Sequence, residues 1–78
     1  MPTVLRSKGY RFFFFSLEGN EPPHIHVERG DGYAKFWLTD ALLARSKGFK
    51  SKELAELKRM VRSNRDHFER SWHEHFGG

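Results

Sequence analysis

Two histidines at alternate positions, in the stretch PPHIHVE over residues 22–28, have the spacing that could support chemistry. In a β-strand alternate side chains share one face, so His24, His26 and Glu28 would line a patch, about 6–7 Å apart. Imidazole and carboxylate are ligands for zinc, iron and manganese. Histidine also titrates near neutral pH, which suits general acid–base catalysis. We predict a metal site of these three residues or a catalytic histidine pair, with solvated or structural histidines as the simpler alternative.

Basic residues on the strands and the helix could hold a phosphate group or RNA as positioning contacts that do not read bases. Lys35 also shares a strand face with Tyr33 and Trp37, and aromatic residues beside basic ones are typical of surfaces that bind single-stranded nucleic acid. Ordinary packing and a solvated, mixed-charge helix face remain the alternatives. The candidates for phosphate or RNA contact are Arg29, Lys35, Lys58, Arg62 and Arg65.

The bulk composition sets limits on the other classes of function. The 78 residues suit a single domain, and the lack of cysteine excludes disulfides and thiolate metal sites. The formal net charge of +4 permits a polyanionic partner without requiring one. No stretch has the pattern of a signal peptide or a membrane span, so we expect a cytoplasmic protein without membrane contact. No serine triad, phosphate-binding loop or dinucleotide-binding fingerprint is visible.

The elements that must position these residues are short strands separated by turns rich in glycine and proline. Residues 41–49 combine helix-forming residues with a length and a glycine that suit a strand, and we favour the strand. The predicted segments are an edge segment over 1–5, strands over 10–17, 24–29 and 33–38, and a fourth strand within 41–49.

One long helix is predicted over residues 51–76, because apolar residues recur there at steps of three, four and seven. Asn64 interrupts this stripe, and we expect it to be a structural anchor that bonds a backbone group. Trp72 is expected to be structural as well. The apolar stripe consists of Leu54, Leu57, Val61, Phe68, Trp72 and Phe76.

Residues 1–78 are therefore expected to form one α+β domain, with a β-meander over 1–49 and the helix over 51–76. The fold would be a small antiparallel sheet of three to four strands with the long C-terminal helix packed on one face.

The run RFFFFS over residues 11–16 does not alternate as a half-buried strand should. A single helix can cover only one face of this strand, so the other is left for sheet curvature or for another chain. We favour another chain, as a homodimer or a protein partner. The predicted interface residues are Phe12, Phe13, Phe14, Phe15 and Trp37.

Several of these stretches together resemble the bacterial family called domain of unknown function 4160, over nearly the whole chain. The most specific is the Pro-Pro-His-x-His-Val run. The matching stretches are Pro2-Thr3-Val4, the aromatic strand ending in Ser16, residues 22–27, residues 34–38, Gly48-Phe49, Asn64 and Trp72. The resemblance implies small cytoplasmic proteins that are similar to components of toxin–antitoxin modules. It also implies a partner, a second small protein of the type called domain of unknown function 2442, but no reaction.

The function expected from sequence is a toxin-like component of a two-protein module, acting through protein association, with RNA as a candidate target. Ribonuclease activity, with His24 and His26 as general base and acid, is the candidate reaction. A non-enzymatic homodimeric interaction protein and a metal-binding module using His24 and His26 are the alternatives. A divalent metal is the only cofactor that the residues suggest, and no cofactor is the simpler expectation.

Overall fold

Five strands followed by two helices make up the chain in the computed structural model, which describes residues 3–15 and 19–77. The elements are β1 (Thr3–Ser7), β2 (Tyr10–Phe13), β3 (His24–Arg29), β4 (Gly32–Trp37), β5 (Leu43–Lys47), α1 (Ser51–Ser63) and α2 (Arg65–Phe76). All neighbouring strands are antiparallel, in the order β1-β2-β3-β4-β5. The α+β class is confirmed, whereas the predicted three to four strands and single long helix are wrong. Of the residues in the predicted segments, Met1, Pro2, Ser16 and Leu17 lie outside the described part of the chain.

Tight turns explain why the sheet follows the order of the sequence. Ser7 pairs with Tyr10, so only Lys8 and Gly9 connect β1 to β2, and both have positive φ, 55° and 84°. Two central residues with positive φ give the turn a twist that matches that of the flanking strands. The N-terminal segment is therefore a full strand that continues to Ser7, and the ambiguous segment 41–49 contains β5.

Asn64 separates the two helices at the point where the apolar stripe is interrupted. Its side-chain Nδ2 donates to the Met60 carbonyl at 2.9 Å, and its backbone N–H donates to the same carbonyl at 3.0 Å. Side-chain bonds of this kind compete with regular helix geometry, and Asn64 adopts φ −109° and ψ 15°. The apolar spacing predicted that both helices bury their side chains towards the sheet. It did not reveal that the Asn64 side chain would bond the Met60 carbonyl and interrupt the helix.

Both helices pack on one face of the sheet, which we call the covered face. Phe12 lies 5.3 Å from Phe68 between ring centroids, and Phe14 lies 5.3 Å from Trp72. The core extends over β2, β3 and β4 but does not include β5, whose five residues are all exposed. The fully buried residues of this face are Tyr10, Phe12, Phe14, Ile25, Val27, Ala34, Phe36, Leu38, Leu57, Val61 and Phe68. Within the described residues, neither helix is long and apolar enough to cross a membrane.

The second face of the phenylalanine run is covered by side chains of the same chain. Phe13 is only 2% exposed. Its ring stacks on His26 at 5.4 Å, contacts Phe15 at 5.3 Å and lies under the Arg11 guanidinium at 4.4 Å. Of the predicted interface residues, Phe12, Phe13 and Phe14 are therefore buried within the chain itself. Phe15, 39% exposed, and the half-buried Trp37 are the predicted interface residues that reach the surface.

Candidate functional site

The sheet face opposite the helices, which we call the open face, carries three cross-strand rows of side chains. The strand register places Arg6, Arg11, Glu28, Tyr33 and Lys47 in the first row. The second row holds Phe13, His26, Lys35 and Arg45, and the third holds His24 and Trp37. The two described helices pack on the covered face, and Trp72 of α2 also reaches the third row at His24.

His26 is buried at the centre of the open face and is only 2% exposed. Its Nδ1 forms a 2.7 Å hydrogen bond with the Tyr33 hydroxyl. Aromatic rings surround it, with centroid distances of 5.4 Å to Phe13, 4.4 Å to Phe15 and 5.0 Å to His24. His26 is therefore fixed at the centre of this face by one hydrogen bond and by the aromatic rings packed around it.

His24 is completely buried where β3 begins. Its Nδ1 lies 2.9 Å from the Pro22 carbonyl, and because a carbonyl can only accept, this nitrogen carries the proton. Trp72 of α2 contacts the imidazole at 4.9 Å, and Trp37 contacts it at 5.7 Å. Trp72 thus joins the helix layer to the start of the histidine strand.

The burial of both histidines bears on the predicted catalytic pair. The rings are neighbours, 5.0 Å apart at 89°, but their exposed fractions are 0% and 2%. A general acid or base must come within hydrogen-bond reach of the reacting group. In this arrangement the surrounding rings occupy the space that a substrate would need, so the geometry supports a structural role.

The predicted metal site is not assembled. The Glu28 carboxylate is 2.9 Å from the Arg11 guanidinium, with which it forms an ion pair, while the two histidines bond Pro22 and Tyr33. Over residues 3–15 and 19–77, no group of three or more His, Asp or Glu side chains is placed to hold a metal ion. The alternation correctly places His24, His26 and Glu28 on one face, but other partners engage them there.

Basic side chains of β4 and β5 lie beside two half-buried aromatic rings of β4. The Lys35 ammonium lies 4.7 Å from the Trp37 ring centroid and pairs with Glu21 at 2.8 Å. The Arg45 guanidinium lies 5.8 Å from the Tyr33 ring. Arg45 and Lys47 are exposed, while Tyr33, Lys35 and Trp37 are half-buried. This half of the open face therefore offers two aromatic rings between positive charges.

Arg29, a predicted phosphate contact, instead joins β3 to the helix layer. Its Nη2 lies 2.6 Å from the Glu53 carboxylate, and its guanidinium lies 4.1 Å above the Tyr10 ring. The Glu53 pKa is lowered, first by a hydrogen bond from the Lys50 backbone N–H and then by Arg29. Burial raises the pKa of Tyr10. These contacts form the rim of the covered face.

The helix residues predicted to contact phosphate do not join the open face. Lys58 and Arg62 lie on α1, and Arg65 lies on α2 with its Nε 3.7 Å from Glu69. Both helices belong to the covered side of the sheet, so the structure does not bring these residues near Lys35 or the histidines.

Sequence reasoning missed four basic residues of the open face, namely Arg6, Arg11, Arg45 and Lys47. Arg45 and Lys47 alternate in β5, and their partners across the strand are Lys35 and Tyr33. The alternation of Arg45 and Lys47 was visible in the sequence. It places them beside Lys35 and Tyr33 only when residues 41–49 form a strand with this register.

Comparison with curated proteins and with solved structures finds no match for the chain. The family model described as "Domain of unknown function (DUF4160)" matches residues 9–73. The matched segment includes both histidines of β3, the break at Asn64 and the Trp72 contact to His24. The chain therefore belongs to the DUF4160 family.

Proposed function

We propose that the protein binds single-stranded RNA on the β4–β5 half of the open face. The observation that carries this proposal is the alternation of Tyr33, Lys35 and Trp37 on β4, with Arg45 and Lys47 beside them on β5. Unpaired bases stack on aromatic rings, with about 1–3 kcal/mol per stacked base. Lysine and arginine supply the electrostatic attraction to the backbone. The spacing of rings and charges suits an extended strand of nucleic acid better than a duplex.

Binding without cleavage is the form of the proposal that the geometry supports. Exposed residues (Arg45 and Lys47) and half-buried ones (Tyr33, Lys35 and Trp37) carry the proposed contacts, whereas His24 and His26 are enclosed by aromatic rings. Their function in this proposal is to hold β3 and to position Tyr33 through the hydrogen bond between its hydroxyl and His26 Nδ1.

Family resemblance supports a second element, that the protein is a toxin-like component of a two-protein module. The resemblance implies a second small protein as partner, of the type called domain of unknown function 2442. Expressing the chain alone and together with the neighbouring gene product tests this element. Growth arrest that the second protein relieves, with co-purification of the two, is the expected result. Normal growth and no co-purification would refute this element while leaving RNA binding to its own test.

RNA binding is tested by the fluorescence anisotropy of a labelled oligouridine of about ten nucleotides, within the range of known single-strand sites. We expect saturable binding at low salt that weakens as salt rises. Removing two phosphate contacts with Arg45→Ala and Lys47→Ala should reduce the slope of log affinity against log salt by about 1.4. A DNA strand of the same base sequence and an RNA duplex are the comparison ligands.

The matched control removes two charges from the helix layer with Lys58→Ala and Arg62→Ala. This variant has the same net charge as the β5 variant, so a general effect of charge would be equal in both. Equal losses of affinity, preferential binding of the duplex, or no binding at low salt would each overturn the proposed RNA face. Equal affinity for the DNA strand would leave the face in place and remove its preference for RNA.

A further inference from the structure

The β5 edge of the sheet is uncovered. β5 is the last strand of the sheet, all five of its residues are exposed, and it contributes nothing to the core. The outward side of an edge strand presents backbone N–H and C=O groups that can pair with a further strand. Solvent-exposed edges of this kind are the sites at which extended peptides add to sheets.

The opposite edge, formed by β1, is different. Val4 and Leu5 are partly buried against the core, and the Val4 carbonyl accepts a hydrogen bond from His67 Nε2 at 3.2 Å. Helix α2 therefore occupies part of the β1 edge. The same sheet thus has one edge engaged by its own helix and one that is open.

Two exposed apolar residues, one just before β5 and one at its start, further distinguish this edge from the β1 edge. Leu42 is 51% exposed and Leu43 is 41% exposed. In the described part of the chain, the only other large hydrophobic residue with comparable exposure is Phe15. Two exposed leucines beside an open strand edge provide apolar contact area for a partner.

The charges near β5 indicate which partner fits. Residues 41–50 contain Arg45, Lys47 and Lys50 and no acidic residue. A second copy paired antiparallel on β5 would place these positive charges close to their own counterparts, which is destabilising across strands. Charged residues at an edge protect a protein from such self-pairing, so the occupant should carry the opposite charge.

We propose that the β5 edge binds an extended segment of another protein in which acidic and apolar residues alternate. Arg45 and Lys47 share the open side of the strand, so acidic side chains at alternate positions of the added strand would lie beside them. The apolar side chains between them would lie on the side of Leu43, whose strand partner Phe36 belongs to the core. The proposal does not require RNA binding, although it uses Arg45 and Lys47, which the proposed RNA face also uses.

The test uses two capped peptides of about six residues, a typical strand length, one alternating Val with Glu and the other alternating Val with Lys. Binding to the full chain is followed by NMR amide shifts without RNA. We expect the acidic peptide to shift β5 amides and to leave β1 unchanged, with at least about tenfold weaker binding of the basic peptide. Arg45→Glu with Lys47→Glu should reverse this preference.

Two control variants separate the edge from general effects of charge and from the RNA face. Arg6→Glu reverses an exposed charge near the other edge and should leave the peptide preference unchanged. Leu43→Ser should weaken the acidic peptide while leaving oligouridine affinity unchanged. Circular dichroism confirms that each variant is folded.

Four outcomes overturn the proposal: no binding of the acidic peptide, equal binding of both peptides, shifts centred on β1, or a concentration-dependent dimer whose interface is β5. Peptide binding by a chain that fails to bind oligouridine would support the edge and refute only the RNA face.

Discussion

The two faces of this sheet are built from alternate residues of the same strands, yet they are buried by different means. On β3, Ile25 and Val27 face the helices and join an apolar core, while His24 and His26 face the other way. On the open face, Trp72 of α2 reaches the ring of His24, while Phe13 and His26 stack on each other and Arg11 lies over Phe13. Both faces therefore contain buried side chains, so burial alone does not distinguish a core face from a binding face.

The two faces differ physically in the groups that shield their central side chains from water. On the covered face, helix side chains remove apolar surface from water, at about 25 cal/mol per Å². On the open face, rings pack against one another, and the Nδ1 atoms of His24 and His26 are held by hydrogen bonds. Beside this buried centre, Arg45 and Lys47 are exposed and Tyr33, Lys35 and Trp37 are half-buried, so charges and ring surfaces are partly accessible there.

The largest expected difference between the two faces is in the stability lost when one aromatic ring is removed from each. Phe12→Ala should cost about 3–5 kcal/mol of unfolding free energy, because it leaves a cavity between the sheet and Phe68. Phe15→Ala should cost about 1 kcal/mol, since Phe15 is 39% exposed. Urea unfolding followed by circular dichroism measures both.

A Phe12→Leu variant keeps this test informative if Phe12→Ala does not fold, because the smaller change in volume should cost about 1–2 kcal/mol. An equal loss of stability for Phe12→Ala and Phe15→Ala would show that the open face is a second core. The distinction between the two faces would then fail.

A smaller effect is expected from removing one hydroxyl group on each face. Tyr33→Phe removes the 2.7 Å hydrogen bond to the buried His26 Nδ1 and should cost about 1–2 kcal/mol. Tyr10→Phe removes a 3.4 Å bond to Glu56 and should cost about 0.5 kcal/mol or less. Thermal or urea unfolding of the two variants compares them directly. A larger loss for Tyr10→Phe would mean that the His26–Tyr33 bond does not stabilise the open face.

Much of the covered face could be predicted from sequence, because it follows from periodicity. The step pattern of Leu57, Val61, Phe68 and Trp72 identified the buried side of the helices, and the alternation in β3 separated Ile25 and Val27 from the histidines. The break at Asn64 was beyond this reasoning, because it depends on a single side-chain bond to Met60. The number of strands was underestimated because β1 and β5 are edge strands with little apolar signal.

The open face was less predictable, because its character depends on cross-strand register. Sequence alone placed Tyr33, Lys35 and Trp37 on one face, but only pairing with β5 brings Arg45 and Lys47 beside them. Burial of the histidines depends on Phe13, Phe15 and Trp72, which come from elsewhere in the chain. Residue type suggested catalysis or metal binding, whereas long-range packing gives the two histidines Pro22, Tyr33 and aromatic rings as neighbours.

The smallest expected effect concerns the rim where Arg29 and Glu53 join β3 to α1. The folded-state pKa of Glu53 is lowered from 4.5, so its ionised form stabilises the fold at pH values above the unfolded pKa. This contribution is lost as the pH falls through the lower folded pKa. The stability difference between the wild type and Glu53→Gln should therefore shrink as the pH is lowered from about 7 to about 3.

The largest cause of the Glu53 shift is the hydrogen bond from the Lys50 backbone, ahead of the Arg29 guanidinium. Arg29→Gln should therefore raise the Glu53 pKa only part of the way towards its ordinary value, as followed by NMR titration of the carboxyl group. A full return to the ordinary value would assign the shift to the contact between β3 and α1. A partial return would show that the start of α1 holds this carboxylate largely by itself, and that the Arg29 contact adds only a smaller part of the shift.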